Sequence, residues 1–244
     1  MTLDEFKEYI NGKSVAVVGN SLDSLTTEQG EEIDSADITV RFGKAAPPAA
    51  EHFDKVGSRT DVWVTGQLRM VGYKWLPYTT KILFNRSRFK PELGRPPDAV
   101  DLFSEQECRD LETEFGCEDG KRLSAGALTS IFFDRVANNW SSITYYNFDC
   151  FTRHTMFYSH LSNANIPASS WHLPLLLPEY VPENWVPEMG NPAHDSAAEV
   201  KVHKQSMKRT GAVWRGKPLV NNPQYLETPY IQMTDGRNPP RWDT

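Results

Sequence analysis

Hydrophobic and polar positions along this chain change period several times, and each change marks an element. Ser14–Val18 is an apolar, β-branched run with the length of a buried strand. It breaks at Gly19-Asn20-Ser21, where the chain must turn. A polar, acidic stretch over 26–34 predicts a surface helix, and Ile38–Phe42 predicts a second strand. Further short strands are expected at 61–64, at Lys81–Phe84 and at 143–148. Helical spacing runs over 1–13, Glu105–Phe115 and 194–207. Ser124 has the character of an N-cap, and Leu128, Ile131, Phe132 and Val136 then repeat on one apolar face. A strand, a glycine-containing turn, a helix and a second strand open a doubly wound α/β sheet. In such sheets ligands bind beyond the carboxyl ends of the strands.

The rest of the pattern is irregular. Pro91, Pro96 and Pro97 mark 86–98 as a loop. Residues 165–193 are proline-rich and hold Trp171 and Trp185, which suits either an acceptor platform or lid, or a surface connection packed by its own aromatics. Residues 211–244 carry five prolines and little periodicity, so they read as an extended arm on a catalytic body of 1–210.

At 244 residues the chain buries a substantial core and is most simply one domain. A net charge of −6, spread without basic or acidic blocks, argues against a nucleic-acid groove. No apolar run approaches the length of a membrane span, and the N-terminus is amphipathic rather than signal-like.

The first turn narrows the chemistry. It lacks the G-x-G-x-x-G dinucleotide pattern and the G-x-x-x-x-G-K-[ST] phosphate loop. A single Gly19 gives close backbone approach, while Asn20 and Ser21 offer donors and acceptors; this suits one nucleotide with a single phosphate. No D-x-D sequence and no zinc-type spacing of Cys and His occurs, so neither a metal nor a cofactor is expected. A capped, glycine-containing helix start at Ser124-Ala125-Gly126 is a second place to hold an anion.

These residues, taken in order, resemble the sialylmotifs of the eukaryotic-type sialyltransferases, glycosyltransferase family 29. The large motif is matched by Gly19, Asn20, Ser21, Gly30, Ile33, Asp34, Asp37, Val40 and Arg41, then by Val56, Gly57, Ser58, Arg59 and Thr60. The small motif is matched by Leu123, Ser124, Ala125, Gly126, Tyr146 (or Tyr145) and Phe148, with Leu123 and Ala125 departing from its proline and second hydroxyl. Gly43 stands where the family has an asparagine. His194-Asp195-Ser196-Ala197-Ala198-Glu199 is similar to the family's short H-x-x-x-x-E motif.

The resemblance implies a Rossmann-like, type A glycosyltransferase domain with a mostly parallel sheet. It implies inverting transfer of a sialic acid, or a related 2-keto sugar acid such as Kdo, from a CMP-activated donor to a hydroxyl of a glycan or glycolipid. Gly19, Asn20, Ser21, Arg41, Ser124, Ala125 and Gly126 would hold the donor. His194 would be the general base, a task suited to a neutral imidazole with a reference pKa of about 6.5. Glu199 would brace backbone or nucleotide contacts. A second histidine would touch the donor phosphate; His172 is the nearest candidate, with Tyr180, His154 and His160 as rivals. His52 and His203 have no motif support and are expected at the surface. The family's inter-motif disulfide falls on Val15 and Ala137, so Cys108, Cys117 and Cys150 are expected as thiols and the chain as cytoplasmic. Two other readings keep the fold and drop the turnover: a CMP-binding or a glycan-binding module. A methyltransferase-like Rossmann enzyme is disfavoured by the isolated Gly19.

Overall fold

The computed structural model describes residues 1–21, 27–43, 46, 48, 50–65, 77, 79–84, 99–148, 150 and 194–215, and the backbone of 185–188 and 230–233. Seven parallel strands form the central sheet: β1 (Ser14–Val18), β2 (Ile38–Phe42), β3 (Val62–Thr65), β4 (Lys81–Phe84), β5 (Val100–Asp101), β6 (Ser142–Tyr146) and β8 (Val213–Arg215). Their spatial order is β5-β4-β3-β2-β1-β6-β8. The order reverses at β1, which pairs with β2 on one side and β6 on the other, with Val15 level with both Ile38 and Ile143. The carboxyl ends of β1 and β6 therefore mark the topological switch point.

Side-chain alternation explains the layers. Val15 and Val17 point to one face of the sheet, where α1 (Leu3–Ile10) and α5 (Ala125–Arg135) cover them with Phe6, Ile10, Phe132 and Phe133. Phe6 meets Phe132 and Phe133 with ring centroids 6.0 and 6.3 Å apart. Ala16 and Val18 point the other way, into a cluster with Ile33 of α2 (Gly30–Asp34) and Tyr146. Burial on both faces makes β1 a nearly continuous apolar run, and β2 is buried throughout although Thr39 and Arg41 alternate with its apolar residues. A helix buried all round follows the same logic, for α5 is enclosed from Gly126 to Asp134.

Helix ends are set by the residues that begin them. Thr2 with Glu5 and Ser104 with Glu107 form reciprocal capping boxes at α1 and at α4 (Glu105–Phe115). Those bonds, with the Ser104 side chain first, hold the Glu107 carboxyl below its ordinary range. Ser124 caps α5 by accepting from Ala127 N at 3.2 Å, and Asp195 caps α6 (Ser196–Thr210) by accepting from Ala198 N at 3.0 Å.

The structure departs from the sequence reading in four places. The acidic helix is short, because Gly30 lies against the carbonyl of Phe53 at the start of α3 (Phe53–Val56), and Thr27–Gln29 are not helical. β6 stops at Tyr146, since Asn147 turns into the left-handed region with φ 59°. Within 211–244, Val213–Arg215 is the edge strand of the central sheet, not a wrapped arm. Part of that arm and part of 165–193 also pair, as the antiparallel strands β7 (Trp185–Glu188) and β9 (Tyr230–Met233). Loop 86–98, and with it Pro91, Pro96 and Pro97, lies outside the described residues.

His52 and His203 are not surface residues. They are 7% and 0% exposed, and His203 lies among Tyr145, Phe148 and Trp214 with ring centroids 5.7, 5.1 and 5.1 Å away. Burial pulls the His203 imidazole down to about 3. In the unfolded chain it takes a proton below about pH 6.5, whereas in the folded protein it stays neutral. Its contribution to stability is therefore whole above that pH and falls, by at most about 1.4 kcal/mol per unit, as pH drops toward 3. Urea unfolding across pH 7.5 to 4.5 should show this slope, and His203→Phe should flatten it. Identical slopes in the two proteins would contradict the assignment.

None of Cys108, Cys117 and Cys150 is in a disulfide. Val15 and Ala137 are both core residues. Among the described residues no helix is long and apolar enough to cross a membrane.

Candidate active site

Most of the long motif between β1 and β3 is scaffold. The Asp34 carboxylate accepts from Ser58 N and Ser58 Oγ, both at 2.8 Å, and from Arg59 N at 3.2 Å. Asp37 Oδ2 accepts from Ser14 N and Ser14 Oγ at 2.8 and 2.7 Å, and the Ser14 backbone bond leads in holding this carboxyl below its usual range. The Arg59 guanidinium donates to the carbonyls of Ala36 and Asp37 and to Asp61. Arg41, expected beside the donor, is 2% exposed and donates to the carbonyls of Val56 and Arg59. Burial draws its guanidinium down to about 10, opposed by Asp34 and Asp61, so it keeps its charge at neutral pH. In this arrangement Arg41 is a positioning residue for the motif's tail.

The beginning of the motif is placed differently. Gly19-Asn20-Ser21 lies at the carboxyl end of β1, against the chain leaving β6. Gly19 N donates to Tyr146 O at 2.8 Å and Ser21 N to Asn147 O at 3.1 Å. A methyl group on Gly19 would stand 2.6 Å from Asn147 O and 3.0 Å from Phe148 Cδ2. One on Gly126 would stand 2.6 Å from Phe148 Cε1. Two glycines, one from each motif, thus make room for the same ring, and Phe148 locks the first turn of α5 to the end of β1. Asn20 Nδ2 donates to Phe42 O at 3.3 Å, while Asn20 Oδ1 and Asn147 Nδ2 are buried without a partner among the described residues.

The third motif completes the constellation. Glu199, on α6 and 1% exposed, accepts from Ser124 N at 2.6 Å and from Ser124 Oγ at 2.8 Å. It braces the residue that caps α5. Ala125 and Gly126 supply the first backbone N–H groups of that helix. His194 precedes α6 and forms a parallel bridge with Arg122, two residues before Ser124. Its Nδ1 lies 3.3 Å from Arg122 O. A carbonyl only accepts, so this contact suits the tautomer with its proton on Nδ1. Asp195 next door takes Glu118 N at 2.9 Å on its second oxygen. Burial pushes the Asp195 carboxyl up, but its backbone hydrogen bonds and Lys121 outweigh this and hold it below its usual range.

Gly19, Asn20, Ser21, Ser124, Ala125, Gly126, Glu199 and His194 therefore belong to one connected set of contacts around the switch point. His172, Tyr180, His154 and His160 lie outside the described residues. Sequence reasoning missed Arg122, Asp195, His203 and Asn147. Asp195 carries an N-cap signature directly before Ser196, the first residue of α6. Arg122 acts through its carbonyl, and no side-chain motif reports that. Among the described residues no cluster of three or more His, Cys, Asp or Glu side chains has the geometry to hold a metal ion.

No protein-family model matches this chain, and no curated protein matches it at the level of sequence. Solved structures match it by fold. A mammalian sialyltransferase in complex with Gal-beta-1-3GalNAc-ortho-nitrophenol superposes with a TM-score of 0.52 at 18% identity, over 86% of this chain and 72% of that one. A mammalian sialyltransferase structure superposes with a TM-score of 0.55 at 16% identity, with the same coverage of both chains. The chain has the α/β, Rossmann-like fold of those glycosyltransferases.

Proposed function

We propose that this protein is an inverting glycosyltransferase that moves a 2-keto sugar acid, sialic acid by default, from a CMP-activated donor to a hydroxyl of a glycan or glycolipid. One observation supports the reading: contacts link the Gly19–Ser21 turn through Phe148 to the braced start of α5, and His194 bridges Arg122 just before that helix, in a fold similar to that of sialyltransferases. Gly19, Asn20 and Ser21 hold the phosphate and ribose. Ala125 and Gly126 turn backbone N–H groups toward the donor, and Glu199 keeps that helix start in place through Ser124. His194 Nε2 removes the proton of the acceptor hydroxyl as its oxygen bonds to the anomeric carbon. The bond from that carbon to the phosphate oxygen breaks on the opposite face, and CMP leaves with the electron pair. A leaving monophosphate carries less charge than a diphosphate, so helix N–H groups and a few side chains stabilise it without a metal. The absence of a D-x-D sequence and of a cysteine pair at Val15 and Ala137 supports metal-free chemistry in a reducing, cytoplasmic setting.

The test is a thermal-shift comparison of CMP, CDP, UDP, GDP and S-adenosylmethionine, followed by donor turnover. CMP at about 100 times its dissociation constant adds about 2.7 kcal/mol, a rise of roughly 5–10 °C for a chain of this size. UDP, GDP and S-adenosylmethionine should shift the melting temperature much less. Equal shifts for all nucleotides would overturn the CMP assignment, and CMP binding without any consumption of CMP-sialic acid would reduce the protein to a binding module.

A further inference from the structure

We propose that Asn147 is a donor-binding residue, its side-chain amide donating a hydrogen bond to an oxygen of the bound nucleotide. The proposal rests on the reading above that the switch point holds a nucleotide. Four observations place the residue there. Asn147 directly follows β6, the strand that pairs with β1 at the switch point. Its backbone carbonyl accepts from Ser21 N at 3.1 Å, so it touches the turn assigned to the phosphate and ribose. It sits at φ 59°, a conformation costly for most side chains but tolerated by asparagine. It is only 6% exposed, and its Nδ2 has no acceptor among the described residues.

A buried amide donor without an acceptor destabilises a protein by its full desolvation cost. Glycine would take the same backbone conformation without that cost. The asparagine is therefore explained by an acceptor that arrives with a ligand. Nucleotide oxygens supply one, and Asn20 Oδ1 across the same turn, also buried and without a partner, offers the complementary acceptor to a ligand hydroxyl. The chemistry recognised is thus a donor from Asn147 and an acceptor from Asn20 on a polyhydroxylated, oxygen-rich ligand.

Calorimetric titration of CMP into wild type, Asn147→Gly and Asn147→Asp tests this. Glycine removes the donor and keeps the backbone; aspartate keeps the shape and replaces the donor with a carboxylate. Both variants should bind CMP about tenfold more weakly or worse, with aspartate the poorer of the two because it repels phosphate. The ligand-free melting temperature of Asn147→Gly should not fall, since no partner is lost. Affinities within twofold of wild type in both variants, as expected if a buried water is the acceptor, would overturn the inference while leaving the proposed function intact. A wild type that prefers another nucleotide would overturn the CMP assignment, and the same variant-to-wild-type ratio on that nucleotide would then decide the role of Asn147. A wild type that binds no nucleotide overturns both.

Discussion

His194→Ala should lower sugar transfer by about 10²–10⁴-fold, roughly 3–5 kcal/mol of barrier, with little change in CMP affinity or in melting temperature. The side chain is half-buried and its Nδ1 contacts the carbonyl of Arg122, whereas the bonds from Ser124 N to Glu199 and from Ala198 N to Asp195 do not involve the imidazole. In the proposed reaction a neutral imidazole with its proton on Nδ1 would present the lone pair of Nε2 to the acceptor hydroxyl. The wild-type rate should fall on the acid side as the imidazole takes a second proton and loses that lone pair, and the variant should lose this limb of the profile. Steady-state rates with CMP-sialic acid across pH, alongside CMP titration, read both effects. Transfer near the wild-type rate would move the base elsewhere, with His172 next in line. Joint loss of CMP binding and of the fold would make His194 structural.

Glu199→Ala should give the opposite signature five residues later. The carboxylate is 1% exposed and takes both the backbone N–H and the hydroxyl of Ser124. Each charge-assisted bond is worth about 1.5–3 kcal/mol, and both donors would be left buried. A loss of roughly 3–5 kcal/mol corresponds to a drop of about 10 °C for a chain of this length. CMP affinity should fall with it, because the first turn of α5 no longer has a fixed position against Phe148. Glu199→Gln keeps the volume and one acceptor, so it should fall between wild type and alanine in both readouts. Thermal melts and CMP titrations of the three proteins check this. A stable alanine variant with wild-type affinity would show that Ser124 and its helix are held by something else. The pair separates chemistry from scaffold within one short motif: His194 should move the rate alone, and Glu199 the fold and the binding together.

Local elements were legible because their causes are local. Ser14–Val18, Ile38–Phe42, Lys81–Phe84 and Glu105–Phe115 fall where apolar runs and helical spacing put them. Ser124 caps its helix, as a serine before an apolar periodic run should. Elements without their own pattern were not legible. Val100–Asp101 and Val213–Arg215 are too short to show a period, and they are strands only because β4 and β6 offer them unpaired edges. The surface placement expected of His203 failed for a related reason. A histidine at that position of a polar helix reads as solvated, but the packing of α6 onto α5 and β6 encloses it with Tyr145, Phe148 and Trp214.

By itself the sequence determined the α/β class, the strand-turn-helix opening and the three motifs in their order. These depend on hydrophobic periodicity, turn residues and spacing, all of which are written within a few residues of where they act. Tertiary structure alone decided which motif residues face the switch point and which hold the scaffold. Asp34, Asp37, Arg41 and Arg59 are as prominent in the sequence as Gly19 and Asn20, yet their polar groups are spent on backbone donors and carbonyls between β1 and β3. Phe148, Gly19 and Gly126 come together, and Glu199 reaches Ser124, only when strand order places β1 beside β6 and α6 against α5. A one-dimensional pattern states which groups are available; burial and hydrogen-bond partners, which require the folded chain, decide which of them remain to meet a substrate.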